Sequence, residues 1–170
     1  MNLPFNCRVT KYDPVLRDIH GTFTGDDWVL FSEVGANFDA GKLTFERYLQ
    51  IETAYVSAVT SFMAEAGFSK LSVRQLSKRL PAKRSALRGI TLDPDAIQNR
   101  RLLSGERLQD AIRMALRTIL GCKLVHPGRF YVHFGWDYYM YIGSTHPSPL
   151  SIKRSSELGL FVEEMVSPYI

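Results

Sequence analysis

The sequence predicts a single-domain α+β protein in which an antiparallel sheet, ending in a meander and hairpin, packs against two main helices. Two segments, one after Thr44 and one after Ser104, repeat apolar residues at spacings of three and four, each between a polar N-cap and a glycine stop. The β-prone stretches do not alternate regularly with helices, which argues against βαβ units and a parallel sheet. Residues 129–143, Arg-Phe-Tyr-Val-His-Phe-Gly-Trp-Asp-Tyr-Tyr-Met-Tyr-Ile-Gly, set two aromatic-rich runs on either side of Gly-Trp-Asp, which is a hairpin signal. A length of 170 residues suits one domain, long enough to bury about 70% of its chain surface.

Phe5, Cys7 and Val9 alternate with polar residues and read as a first strand. Residues 12–42 are rich in Asp and Gly and read as loop, with a short strand at Trp28–Phe31. The helix from Thr44 to Ala66 carries Phe45, Tyr48, Leu49, Val56, Val59, Phe62 and Met63 on one stripe, interrupted by Glu52 and closed by Gly67. Residues 69–80 fit a strand, from the Leu71/Val73 alternation, or a helix ending before Pro81. Residues 78–101 read as a basic segment with the composition of a mobile loop. The second helix is expected from Ser104 to about Leu120, with Gly121 as its stop. Cys122–Val125, the His-Pro-Gly turn at 126–128 and the hairpin complete a three-stranded meander. A short helix over Ser151–Leu158 and a last strand over Leu160–Met165 end the chain.

For the hairpin, a three-residue Gly135-Trp136-Asp137 loop places Phe134 opposite Tyr138, Val132 opposite Met140 and Phe130 opposite Ile142. One face is then apolar. The other carries Tyr131, His133, Tyr139 and Tyr141 beside Trp136 and Asp137. A slip of one residue would mix the two sets. The polar aromatic face suits a partner surface, a base-stacking platform or the underside of a helix, the one after Thr44 being the candidate cover.

The net charge of +4 hides a strong segregation. Residues 1–66 hold five basic and nine acidic residues, 67–101 nine basic and two acidic, and the remainder seven and six. Such a bipolar chain favours oriented encounter with a charged partner. Asp13, Asp18, Asp26, Asp27, Glu33 and Asp39, interleaved with Tyr12, Trp28 and Phe31, suit a surface that docks on a cationic protein such as a nuclease cleft. The bland reading of the same stretch is solvated loop. The second partner class is nucleic acid. Leu71–Leu80, followed by Lys83, Arg84 and Arg88, has the look of a helix-turn-helix, with Arg74, Lys78, Arg79, Lys83, Arg84 and Arg88 offered to phosphate.

Chemistry finds few handles. His20, His126, His133 and His146 lack metal-ligand spacing, so neither metal nor cofactor is expected. No nucleophile elbow or P-loop is present. His133 with Asp137 is the one candidate acid–base pair, and Glu163 and Glu164 on an alternating strand point to opposite faces. No apolar run approaches the length of a membrane span, and the N-terminus lacks the pattern of a secretory signal. Cys7 and Cys122 read as buried free thiols of a reducing compartment, an inter-strand disulfide being the alternative, so the cytoplasm is the expected location.

Phe130–Gly143, together with Gly-Leu-Phe-Val-Glu-Glu-Met-Val-Ser-Pro-Tyr at 159–169, resembles segments of bacterial immunity proteins of polymorphic toxin and contact-dependent growth inhibition systems. A fainter likeness lies in the helix after Thr44. The resemblance implies a cytoplasmic, non-enzymatic protein that binds a cognate toxin domain and occludes its active site. It brings no functional residues with it, and the basic overall charge departs from the acidic balance common among nuclease inhibitors. A nucleic-acid-binding module and a small enzyme centred on His133 and Asp137 are the competing expectations.

Overall fold

A computed structural model describes residues 3–78 and 84–170. Its elements are β1 (Phe5–Thr10), β2 (Asn37–Phe38), β3 (Gly41–Lys42), α1 (Phe45–Glu65), β4 (Leu71–Lys78), β5 (Leu102–Leu103), α2 (Gly105–Leu116), β6 (Leu120–His126), β7 (Phe130–Phe134), β8 (Met140–Ser144), α3 (Pro149–Glu157) and β9 (Phe161–Glu164). One antiparallel sheet of seven strands runs β5-β4-β6-β7-β8-β1-β9, and β2 pairs with β3 in a separate small hairpin. The α+β class and the β6–β7–β8 meander are as expected.

The α1 helix begins where Thr44 Oγ1 accepts the Arg47 N–H at 3.2 Å. It stops where Gly67, at φ +81°, turns the chain so that Phe68 N–H donates to the Met63 carbonyl at 2.8 Å. Its stripe of Tyr48, Tyr55, Val59, Phe62 and Met63 packs with Ala111, Ile112 and Met114 of α2 and the inward residues of the sheet, Val9, Leu124, Phe130, Val132 and Met140. Each large apolar side chain so buried contributes about 1.5–3 kcal/mol.

Four local expectations change. The α2 helix ends at Leu116 rather than near Leu120, because Thr118 turns left-handed at φ +57°. Leu120, Cys122 and Leu124 then alternate inward, so strand periodicity wins over helical spacing at Leu120 and Gly121. Residues 71–78 form a strand paired with β6, with a bulge between Arg74 and Ser77 where Gln75 stands at φ +49°; the helix-turn-helix reading is overturned. Trp28–Phe31 is not a strand. Glu33 accepts the N–H groups of Val29 and Leu30, both at 2.7 Å, and folds that stretch into an irregular turn and a 3₁₀ helix at Phe31–Glu33. The small β2–β3 hairpin lies inside what reads as loop.

The fourth change is the hairpin register. Phe134 pairs with Met140, Val132 with Ile142 and Phe130 with Ser144, a displacement of two residues from the expected pairing. An even displacement preserves the faces, so Phe130, Val132, Met140 and Ile142 still point to the core. The chain reverses through Asp137 (φ +55°) and Tyr138 (φ +61°), the pair of positive φ values that a type I′ turn needs. Tyr138 is thereby carried into the core instead of closing the ladder.

Candidate functional site

The polar aromatic face of the hairpin is covered, and the cover is not α1. Tyr131 and Tyr141 cluster with Leu3 against Val125 and Tyr169, so Leu3 and Tyr169 lie over this face. The Tyr131 ring stacks on His133 at 4.2 Å and its hydroxyl donates to Asn6 Oδ1 at 2.6 Å. His133 is 5% exposed and shares a 2.8 Å hydrogen bond between Nδ1 and Ser167 Oγ. Tyr141 meets Tyr169 edge-on. Tyr139 is half-buried, with the Arg8 guanidinium 4.8 Å above its ring. Of the six hairpin residues, Trp136 (65% exposed) and Asp137 stand outward at the turn; Tyr131, His133 and Tyr141 are interior.

Trp136, Asp137 and His133 border a cleft of about 310 Å³ whose far wall is the β4 bulge and the start of β6. His133 contributes little base strength there. Burial, and secondarily the charge of Lys123, lower its pKa to about 4. The folded state therefore holds His133 neutral while the unfolded chain, near 6.5, takes up a proton first. Stability from this residue is complete above about pH 6.5 and is lost as pH falls toward 4, by about 2–3 kcal/mol. Denaturant midpoints across that interval, compared with His133→Gln, check this. The variant should lose most of the pH dependence between 6.5 and 4.5. At lower pH the carboxyls of Glu65 and Glu163 add to the loss. Burial raises both, but the Ser151 and Leu150 donors at Glu65, and Arg17 and Arg8 at Glu163, hold them below the usual range.

The acidic N-terminal stretch divides in two. Trp28 is 4% exposed, packed on Tyr48 and Tyr138, and Tyr12 donates its hydroxyl to the Trp28 carbonyl at 3.1 Å. Both rings are core, not docking anchors. The Lys11 ammonium lies 4.1 Å from each ring centroid and pairs with Asp27. Asp26 accepts the Asp39 N–H at 2.8 Å. These acids tie the loop together.

Residues 13–24 form a separate knuckle. Asp13 accepts the Val15 N–H at 2.9 Å and starts a 3₁₀ turn at Pro14–Leu16. Asp18 Oδ1 accepts both His20 and Thr22 N–H at 2.9 Å, and Thr24 N–H and hydroxyl both donate to the Leu16 carbonyl at 2.9 Å. The Phe23 ring packs tilted against Tyr12, centroids 4.5 Å apart, and Arg17 donates to Glu163 of β9, with Nη2–Oε2 at 2.8 Å. So stapled, the knuckle holds Val15 85% and Ile19 96% exposed, with Leu16 half out, beside Asp13 and Asp18. Sequence reading takes Tyr12 and Trp28 as the exposed rings of this segment; the apolar residues that stand outside are Val15, Leu16 and Ile19. The usable signal was Val15, Leu16 and Ile19 lying between Asp-Pro and His-Gly turns with no strand or helix period to bury them.

Among the described residues, the basic side chains do not gather on a recognition helix. Arg74 is half-buried on β4, and Arg88 lies 4.2 Å over the Phe45 ring. Arg79 and Lys83 lie outside the described residues, as do the side chains of Lys78 and Arg84. Rather than hanging loose, residues 84–101 are tethered. Asp110 accepts Thr91 N–H, Thr91 hydroxyl and Leu92 N–H at 3.0–3.1 Å, and Arg117 Nη1 donates to the carbonyls of Ala86 and Arg88.

Cys7 and Cys122 are free thiols, each pushed up to about 12 by burial, so neither is a nucleophile near neutral pH. Among the described residues, no three of His, Cys, Asp and Glu group as metal ligands, and no helix is long and apolar enough to cross a membrane. No family model, curated protein or solved structure matches the chain.

Proposed function

We propose that this chain is a cytoplasmic, non-enzymatic protein-binding module, an immunity protein that neutralises a cognate toxin domain by covering its active site. The observation that carries the reading is the knuckle at 13–24. Large apolar side chains held 85–96% exposed on a loop fixed by its own hydrogen bonds have no role in the core. A preorganised loop also loses little entropy on docking. Asp13 and Asp18 beside Val15, Leu16 and Ile19 call for a partner with an apolar pocket rimmed by cations, the kind of cleft that a nuclease toxin presents. The likeness of the C-terminal segments to immunity proteins points the same way.

Co-expression with the product of the neighbouring gene tests this. The wild-type chain should restore growth and Ile19→Asp should not. A central apolar anchor of this kind costs about 2 kcal/mol or more on substitution, roughly thirtyfold in affinity, while an exposed change leaves stability within about 0.5 kcal/mol. A neighbour that is neither toxic nor bound would refute the proposal. Full protection by the Ile19→Asp variant would instead remove the knuckle from the interface.

A further inference from the structure

A cavity of about 480 Å³ lies away from the knuckle. It lies where the helix-facing side of β8, β1 and β9 passes beneath the end of α1 and the start of α3. Strand register sets its floor. Ile142 is opposite Cys7, Cys7 opposite Glu164, and Phe5 opposite Ser144. Alternation on β9 sends Glu163 to the far face, where Arg8 and Arg17 hold it, and leaves Glu164 exposed at the rim of this cavity. Phe62, Ile152 and Val162 complete an apolar wall.

The polar groups of this cavity are unusual in being left over. Ser148 occupies the N-cap of α3, where a serine hydroxyl ordinarily accepts an N–H from the first turn. Here Pro149 has no N–H. Glu65 of α1 takes the next two, Leu150 at 3.1 Å and Ser151 at 2.7 Å, together with the Ser151 hydroxyl at 2.6 Å. The Ser148 hydroxyl is therefore displaced from its capping role, and it is buried without a hydrogen-bond partner. No cation among the described residues pairs with Glu164. Pro4, Pro147 and Pro149 line the cavity too, and they supply carbonyls but no N–H. Ser144 Oγ already accepts the His146 N–H at 3.1 Å. The site is apolar, with a buried hydroxyl left over and, at its rim, a carboxylate that no cation among the described residues pairs with.

We propose that this cavity binds a small hydrophobic amine, its apolar body against Phe62, Ile142 and Val162 and its ammonium donating to the acceptors offered by Glu164 and Ser148. This inference stands apart from toxin neutralisation. An exposed carboxylate on an edge strand also deters pairing with another sheet, so the test must separate the two roles.

Methyl NMR of Ile142, Ile152 and Val162 in the full chain, at low ionic strength, reads the site directly. The probes are 2-phenylethylamine and its isosteres 2-phenylethanol and 3-phenylpropionate. The amine should give saturable shifts with a Kd of about 1 mM or tighter, as expected for a ligand of this size. Glu164→Gln should weaken the amine about fivefold or more, and Ser148→Ala should weaken it several-fold, both with the fold intact. The carboxylate should not saturate. Absence of saturable shifts with the amine, equal binding of all three probes, or an unaltered amine Kd in Glu164→Gln would each overturn the proposal. So would an amine-insensitive chain whose Glu164→Gln form self-associates, since the carboxylate then guards the edge strand alone.

Discussion

Replacing Arg117 with Met is expected to cost about 3–5 kcal/mol, the largest effect of any single substitution considered for this chain. The guanidinium is fully buried and meets Glu52 through two parallel bonds, Nε–Oε1 and Nη2–Oε2, each 2.6 Å. Its third nitrogen holds the Ala86 and Arg88 carbonyls at 2.9 and 2.7 Å. Removing it leaves Glu52, 1% exposed, without its cation and with only the Tyr48 hydroxyl, at 2.8 Å, still donating among the described residues, and it releases the Ala86 and Arg88 carbonyls. Desolvation decides the size of the effect: an unpaired buried carboxylate costs far more than the pair contributes over a well-packed apolar substitute. The same logic gives the control. Glu52→Leu combined with Arg117→Met should lose less than half of what Arg117→Met loses alone. Urea midpoints measure both, and a loss below about 1 kcal/mol for the single variant would contradict this assignment.

Gly143→Ala is expected to cost about 3 kcal/mol, at the upper end for overpacking by one methyl group. The Tyr131 ring lies flat across Gly143, its direct neighbour on the adjacent strand. A Cβ at 143 would come within 2.8 Å of Tyr131 Cδ1 and closer still to Cε1 and Cζ. The ring has nowhere to retreat, being fully buried, stacked on His133 and bonded to Asn6. The cost is steric, because Gly143 is not among the residues at positive φ. A double-mutant cycle isolates it: in a Tyr131→Ala background the same methyl group should be nearly neutral. Comparable losses in both backgrounds would mean that the strand itself, not the ring, rejects the side chain.

Much of the fold was legible because the signals are local. Thr44 and Gly67 bracket α1, and the alternation of Phe130, Val132, Met140 and Ile142 separates the faces of the hairpin, without reference to distant residues. The register was not legible. Tyr138 holds a positive φ that its own sequence disfavours, and it does so because the Tyr48 and Tyr138 hydroxyls meet at 2.9 Å and Tyr55 donates to the Tyr138 carbonyl at 2.6 Å. These partners lie 83–90 residues away in the chain. The end of α2 failed for a related reason: Leu120 fits the helical stripe, but pairing with Lys78 draws it into the sheet.

The candidate site shows the same division. The acidic stretch was visible as charge, but its aromatic residues looked exposed only because their neighbours in sequence are polar. Tyr12 and Trp28 are covered by elements far along the chain, Tyr48 of α1 and Tyr138 and Tyr139 of the hairpin. The hairpin face was hidden in turn by Leu3 and Tyr169, residues whose place no periodicity announces. What stays outside is the knuckle, which owes its exposure to short-range staples at Asp13, Asp18 and Thr24.

Calorimetric titration of the product of the neighbouring gene, against the wild-type chain and against Ile19→Asp, tests the central claim most directly. The account predicts tight one-to-one binding by the wild type and a loss of roughly thirtyfold or more in the variant, with the urea midpoint unchanged. Equal affinity of the two proteins, or no binding by either, would contradict it.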